Sequence, residues 1–100
     1  MYLLADVDIH DNQTFAEYAK KSQDIIKKYG GRYLIRGGKI DHMEGKWPLE
    51  RVILLEFNDI EKLNECFNSP EYLQIKPIRE RSSSSKAVIL QGIGANKNSF

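Results

Sequence analysis

Charged side chains occur within segments of the 100-residue chain that otherwise alternate in the manner of β-strands. Among them are Asp6, Arg36 and Glu56, one from each of the first three such segments. A carboxylate whose pKa is raised by burial and by a neighbouring carboxylate can act as a general base. An arginine can hold an anionic group through two parallel hydrogen bonds. Asp6 and Glu56 are therefore candidate catalytic residues, and Arg36 is a candidate anion-binding residue.

The same three residues also suit a purely structural role. An ion-pair network of Asp6, Arg36 and Glu56 would satisfy a buried polar surface without binding anything. A pocket open to solvent with converging charges would favour ligand binding, whereas a filled interior with every charge paired would favour the structural role. The sequence leaves both interpretations open.

Metal, cofactor and nucleophile chemistry receive little support from the residue types present. His10, His42 and Cys66 are the soft ligands, and they do not follow a ligand spacing, whereas a structural zinc site normally has four such ligands. We therefore expect no metal and no cofactor. Cys66 lies late in a predicted helix beside its apolar stripe, which indicates a small buried side chain rather than an activated thiolate.

Composition limits the class of protein. The chain has 15 Lys and Arg against 14 Asp and Glu, a formal net charge of +1, and 41% hydrophobic residues. A nearly neutral chain argues against nucleic-acid binding, which usually needs a basic surface, and the hydrophobic fraction predicts one packed domain. The sequence shows neither the run of ~20 apolar residues that a membrane span needs nor a signal-peptide pattern. We expect a cytoplasmic protein with no membrane partner.

The elements that must position these side chains follow the order β-α-β-β-α-β. The strand patterns cover residues 2–9, 31–36, 51–57 and 86–92. This order is typical of a ferredoxin-like fold, in which a four-stranded antiparallel sheet carries its helices on one face. The predicted class is α+β, with one domain over residues 1–93 and a polar C-terminal tail over residues 94–100.

Several residues mark the predicted ends and irregularities of these elements. Asp11 is a good helix N-cap, and Gly30 predicts a helix C-terminus with a positive φ. Gly37 and Gly38 indicate a bulge or bend after the second strand. Pro77 is expected to kink or end the last helix, and Ser82–Ser85 is expected to form a connector.

Alternation assigns the strand residues to two faces of the sheet. The helix-facing set is predicted to be Leu3, Ala5, Val7, Ile9, Tyr33, Ile35, Ile53, Leu55 and Phe57. Asp6, Arg36 and Glu56 fall on the opposite face, with strands one and three central and strand two beside strand three. That face also carries four large aliphatic residues, Leu4, Leu34, Val52 and Leu54. Since two helices cover only one face, we expect a second copy to cover the other, giving a homodimer.

The chain resembles the domain-of-unknown-function 1330 family, within the dimeric α+β barrel superfamily, from residue 2 to residue 92. The matching pieces are Tyr29-Gly30-Gly31-Arg32-Tyr33, Arg36-Gly37-Gly38, Glu44-Gly45-Lys46-Trp47-Pro48, Arg51, Glu56-Phe57, Ser69-Pro70-Glu71-Tyr72, Arg79 and Gly92. One departure is the absence of a proline near Asn12. The resemblance implies a ferredoxin-like protomer whose sheet packs on a partner's sheet to form a dimeric α/β barrel. It supplies no activity, since the superfamily includes cofactor-independent monooxygenases, muconolactone isomerases and haem enzymes.

Two functional hypotheses follow. The first is a small cofactor-independent enzyme, or a binder of a small anionic molecule, with a pocket in the dimeric barrel. The residues expected near that pocket are Asp6, Arg36, Glu56, Arg51, Tyr72 and Arg79. In that hypothesis Asp6 or Glu56 acts as the general base if a reaction is catalysed. The second is a non-catalytic dimeric binding or interaction module whose charges serve the interface.

Overall fold

The computed structural model describes residues 1–93, so the predicted tail at 94–100 lies outside the described residues. The elements are β1 (Tyr2–Ile9), α1 (Asn12–Lys28), β2 (Arg32–Arg36), β3 (Val52–Glu56), α2 (Ile60–Phe67), α3 (Pro70–Ser82) and β4 (Ser83–Leu90). The strands form one antiparallel sheet in the order β2-β3-β1-β4. The predicted α+β, ferredoxin-like architecture is confirmed, with the second helical region divided into α2 and α3.

The long helix α1 begins and ends where its polar residues predict. The Asp11 carboxylate accepts a hydrogen bond from the backbone N–H of Thr14 at 3.2 Å, which satisfies a donor that the first helical turn leaves free. Lys27 and Lys28 lie in the last turn, where the helix dipole favours cations. Gly30 then reverses the chain with a φ of 84°, as predicted.

The last helix continues further than its sequence indicates. Pro77 was expected to kink or end it, but α3 continues to Ser82. Proline has no backbone N–H, so the carbonyl of Leu73 receives no helical hydrogen bond from Pro77. The Leu73 side chain is 49% exposed, so this carbonyl lies on the side of α3 that water reaches.

The serine run does not form a connector, because α3 passes directly into β4. The Ser82 hydroxyl donates to the Ile78 carbonyl at 2.6 Å, and the Ser83 hydroxyl donates to the Arg79 carbonyl at 2.7 Å. These bonds satisfy carbonyl groups that the end of a helix leaves free. The expectation of a connector over Ser82–Ser85 was therefore wrong, since Ser83–Ser85 belongs to β4.

A bulge in β2 changes which side chains face the helices. Tyr33 pairs with Leu55, but Ile35 pairs with Leu54, so Leu34 is an extra residue. The irregularity thus lies three residues before the expected position at Gly37. One extra residue reverses the facing of all that follow it. The assignment of Ile35 to the helix face was wrong, because it pairs with a residue of the outer face.

The hydrophobic core lies between the sheet and the helices. Its main cluster consists of Ile26, Leu55, Phe57, Leu63 and Cys66. A second cluster of Tyr72, Ile75 and Ile78 joins α3 to α1. The rings of Phe67 and Tyr72 meet edge to face with centroids 4.8 Å apart, linking the two clusters. These contacts fix α1 and α3 over the sheet and so fix the walls of the cavity described next.

Candidate functional site

A cavity of about 470 Å³ lies between the sheet and the helices, within the volume range of small-molecule sites. The strands contribute mainly apolar side chains to it, among them Leu3, Ala5, Ile53 and Leu55. Helix α1 contributes Phe15, Tyr18, Ala19, Ser22, Gln23 and Ile26, and α3 contributes Tyr72, Lys76 and Arg79. The cavity therefore has an apolar body with polar groups converging on it from several elements.

The charged groups of the cavity are all cationic. Arg36, Arg51, Lys76 and Arg79 line it, and none of the Asp or Glu side chains within residues 1–93 does. The formal net charge of the whole chain is only +1, so the acidic groups lie elsewhere. Clustered charges of one sign in a cleft with apolar walls focus the potential and attract the opposite charge. The cavity is suited to an organic anion.

Arg51 enters the cavity through a gap left by Gly37. A Cβ built on Gly37 would clash with the guanidinium of Arg51, and the φ of Gly37 is +74°. Nε of Arg51 is buried and has no hydrogen-bond partner within residues 1–93. A buried donor without a partner is costly in free energy. Arg51 is nevertheless one of the residues that line the cavity.

Asp6 fixes the backbone from which Arg51 projects. Its Oδ1 accepts hydrogen bonds from the backbone N–H groups of Glu50 at 2.8 Å and Arg51 at 3.1 Å. The carboxylate thereby holds the chain at the entry to β3. In this structure Asp6 positions an arginine of the cavity, and its carboxylate does not line the cavity itself.

Arg36 lies at the exposed mouth of the cavity. It pairs with Ile53 across the sheet, and its Cζ stands 5.3 Å from the centroid of the Tyr33 ring. This cation–π contact holds the guanidinium beside a tyrosine that also lines the cavity. Arg36 was expected beside Asp6 and Glu56 on the other face, and the bulge at Leu34 is the reason that it is not.

The carboxylates of Asp6 and Glu56 do not form the expected pair. Asp6 is opposite Val52 in the sheet, four residues along β3 from Glu56, which is roughly 13 Å at about 3.3 Å per residue. Glu56 instead forms an ion pair with its cross-strand neighbour Arg32. The structure therefore does not assemble the constellation of Asp6, Arg36 and Glu56, either as a network or as a pocket.

A chain of polar contacts crosses the helical wall of the cavity. Nη1 of Arg79 donates to the hydroxyl oxygen of Tyr72 at 3.3 Å, and the hydroxyls of Tyr72 and Tyr18 are 2.8 Å apart. Burial raises the pKa of both phenols, and burial also raises the pKa of Tyr33. The phenols thus stay protonated at neutral pH and are available as hydrogen-bond donors.

Arg36, Arg51, Tyr72 and Arg79 all line this cavity between the sheet and the helices, whereas the sequence analysis expected them at a pocket of the dimeric barrel. The structure adds Tyr18 and Lys76, which sequence reasoning missed. The spacing of Tyr18 places it on the apolar stripe of α1, and such a position does not distinguish a packed ring from one whose hydroxyl lines a cavity. Lys76 carries no distinguishing signal, since lysines on helices are usually solvated.

The remaining chemistry-bearing residues lie apart from the cavity. Cys66 is fully buried, and burial raises the pKa of its thiol to about 11. Nε2 of His10 lies 3.2 Å from the Ser84 hydroxyl, and Nε2 of His42 lies 3.0 Å from the Trp47 carbonyl oxygen. Within the described part of the chain, three or more His, Cys, Asp or Glu residues do not cluster as a metal site would require. The helices of residues 1–93 are too short or too polar to span a membrane.

Fold and cavity define a class: an α+β protein of ferredoxin-like topology with a cationic cavity between its sheet and its helices. The chain belongs to the family described as Domain of unknown function (DUF1330), whose model matches residues 1–93. A search of curated proteins gave no match.

Solved structures support the same fold. RPA0582, a protein of unknown function from Rhodopseudomonas palustris, matches with a TM-score of 0.71 as the methylated protein and 0.69 in a second crystal structure. Identities are 15% and 16%, covering 93% and 91% of this chain and 82% of that chain in both cases. A putative antibiotic biosynthesis monooxygenase from Nitrosomonas europaea matches with a TM-score of 0.63 and 16% identity, covering 93% of this chain and 99% of that one.

Proposed function

We propose that the protein binds a small organic anion in the cavity between its sheet and its helices. The observation that carries this proposal is the set of four cationic side chains around an apolar cavity that no carboxylate of residues 1–93 lines. The cations hold the acidic group, and the apolar walls accept the hydrocarbon body of the ligand.

The geometry supports binding more directly than catalysis. A general base must reach the proton that it removes, and the carboxylates of Asp6 and Glu56 do not line the cavity. We extend the proposal to a cofactor-independent enzyme, because the putative antibiotic biosynthesis monooxygenase from Nitrosomonas europaea shares the fold. In such an enzyme the protonated phenols and the cations would stabilise negative charge that develops on the substrate.

Calorimetric titration with two matched compounds tests the binding proposal. 4-Phenylbutanoate carries a carboxylate on an apolar body, and 4-phenylbutanamide is its neutral counterpart. We expect the acid to bind and the amide to bind far more weakly, with an acid affinity that falls as salt is added. Equal binding of the two compounds, or no binding of the acid, would overturn the proposal.

Matched variants locate the site. Arg79 and Arg81 lie two residues apart in the last turn of α3, but Arg79 lines the cavity and Arg81 is exposed outside it. Arg79→Met should weaken the acid roughly 10- to 100-fold, the range for a hydrogen bond to a charged group, and Arg51→Met should act similarly. Arg81→Met should leave the affinity within about twofold, since an exposed charge contributes little.

A non-catalytic dimeric module is the second candidate function, and the outer face of the sheet favours it. Leu34, Ile35, Val88 and Leu90 are between 42% and 53% exposed in the single chain. We propose that a second copy of the chain covers this face, forming a homodimer. We also propose that the protein functions in the cytoplasm. The two candidate functions are compatible, because the cavity and the outer face lie on opposite sides of the sheet.

A further inference from the structure

Tyr18 and Tyr72, the two phenols of the cavity wall, have two hydroxyl hydrogens between them, and the hydrogen bond that joins them requires only one. Their hydroxyl oxygens are 2.8 Å apart. Arg79 also contacts Tyr72, but its guanidinium only donates hydrogen bonds and therefore accepts neither phenolic hydrogen. One phenolic hydrogen is therefore left for a group outside this trio.

Arg79 decides which phenol keeps the spare hydrogen. Its guanidinium donates to the Tyr72 oxygen at 3.3 Å, and a positive charge beside a phenol makes that phenol the stronger donor. Tyr72 then donates to Tyr18, and successive bonds that run in one direction strengthen each other. The spare hydrogen is on the Tyr18 hydroxyl.

Both phenols line the cavity, so a molecule bound there can contact Tyr18. Burial raises the pKa of the Tyr18 phenol, so the hydrogen is retained across the physiological pH range.

We infer that Tyr18 donates a hydrogen bond to an oxygen of the bound anion that lies outside its acidic group, an inference that rests on the proposed function. The ligand class is then an oxo-substituted organic acid: a carboxylate for the arginines, an apolar body, and a carbonyl oxygen for Tyr18. Tyr18 is a specificity-determining residue, and Arg79 and Tyr72 position its hydrogen.

The test compares 4-oxo-4-phenylbutanoate with 4-phenylbutanoate, which lacks the ketone oxygen. In the wild-type protein the oxo acid should bind roughly 2- to 12-fold more tightly, the range expected of one neutral hydrogen bond. In Tyr18→Phe this preference should vanish while 4-phenylbutanoate keeps its affinity, because phenylalanine preserves the ring. Tyr29→Phe is the matched control, since it removes a hydroxyl bonded to Glu71 outside the cavity, and it should keep the preference.

Infrared spectroscopy of the ligand supplies a second readout. The ketone stretch of bound, ¹³C-labelled oxo acid should lie at lower frequency in wild-type protein than in Tyr18→Phe, because a donor weakens the C=O bond. If both acids bind equally in wild type, or if the preference and the stretch survive in Tyr18→Phe, the inference is wrong while the anion site stands. If neither acid binds, the proposed function fails and this inference fails with it.

Discussion

Arg51 reaches the cavity because Gly37 has no side chain. We predict that Gly37→Ala destabilises the fold by about 1 kcal/mol or more, since its φ of +74° is unfavourable for any residue with a Cβ. It should also weaken 4-phenylbutanoate as strongly as Arg51→Met does, because the new methyl group displaces the guanidinium. Urea unfolding and calorimetric titration measure the two effects.

Gly38→Ala separates strain from displacement. Gly38 has a φ of +100°, but no described atom lies within 4 Å of a Cβ built there. Both variants should lose stability, and Gly37→Ala alone should lose affinity. A loss of affinity in Gly38→Ala of the same size would mean that the loop conformation, rather than the contact with Arg51, governs binding.

Glu71 ties the start of α3 to the end of α1 in a pH-dependent way. It accepts from Lys28 at 2.5 Å and from the Tyr29 hydroxyl at 3.0 Å. The bond from Lys28 lowers the pKa of Glu71 below its ordinary value of 4.5, and the bond to Glu71 raises the pKa of Lys28 above 10.5. The pair therefore contributes stability between these values. That contribution is lost as pH falls through the folded pKa of Glu71, and again as pH rises through that of Lys28.

Glu71→Gln tests this linkage. The variant should be less stable than wild type at pH 7, and the difference should shrink as pH falls below about 4.5 and the wild-type carboxylate is protonated. Urea unfolding at pH 7 and pH 3 measures it. Glu80→Gln, at an exposed position of the same helix, is the control and should show no such trend. A difference that is constant with pH would exclude an ionic origin.

At the scale of elements, the junction between α1 and β2 depends on the backbone of Gly30. Its φ is 84°, and a Cβ built there meets nothing within 4 Å among the described residues. Gly30→Val should therefore cost about 1 kcal/mol or more through backbone strain alone. Gly30→Asn should cost less, because asparagine tolerates this conformation better than a β-branched residue. Urea unfolding ranks the variants, and equal losses for both would contradict a conformational cause.

Local signals were sufficient to predict most elements. The alternation in β1, the cap at Asp11 and the glycine at Gly30 each depend on chemistry within a few residues, and the structure confirms them. The helix does not end at Pro77, and the serine run is not a connector, because both outcomes depend on which side of α3 meets water and on which carbonyls need donors.

The candidate site was predictable in its residue types but not in its place. The bulge at Leu34 has no glycine or other local marker, and it moved Arg36 to the helix side of the sheet. Arg51, Tyr72 and Arg79 meet only when α3 packs over the sheet. Tyr18 could not be separated from an ordinary packed residue of α1, because its role depends on hydrogen bonds to residues more than 50 positions away.

At the scale of the whole molecule, the outer face of the sheet is the feature that a single chain leaves incomplete. Ile35, Leu54, Leu4 and Val88 follow one another across all four strands and form an apolar band. Charged residues border this band, with Arg32 and Glu56 paired on one side and Asp6 opposite Lys86 on the other. An apolar centre with a polar rim is typical of protein–protein interfaces.

We predict a homodimer through this apolar band, with a total buried area above ~1,200 Å², the lower limit of stable interfaces. Leu54→Asp places a charge at the centre of the band and should give monomers, because an unpaired charge is costly to bury. Leu73→Asp is the control, since Leu73 is 49% exposed on α3, away from the sheet, and its variant should stay dimeric. Sedimentation velocity at micromolar concentration measures both, and circular dichroism verifies that each variant is folded. A wild-type protein that sediments as a monomer, or a dimer that Leu54→Asp leaves intact, would contradict the assignment of the band as the interface.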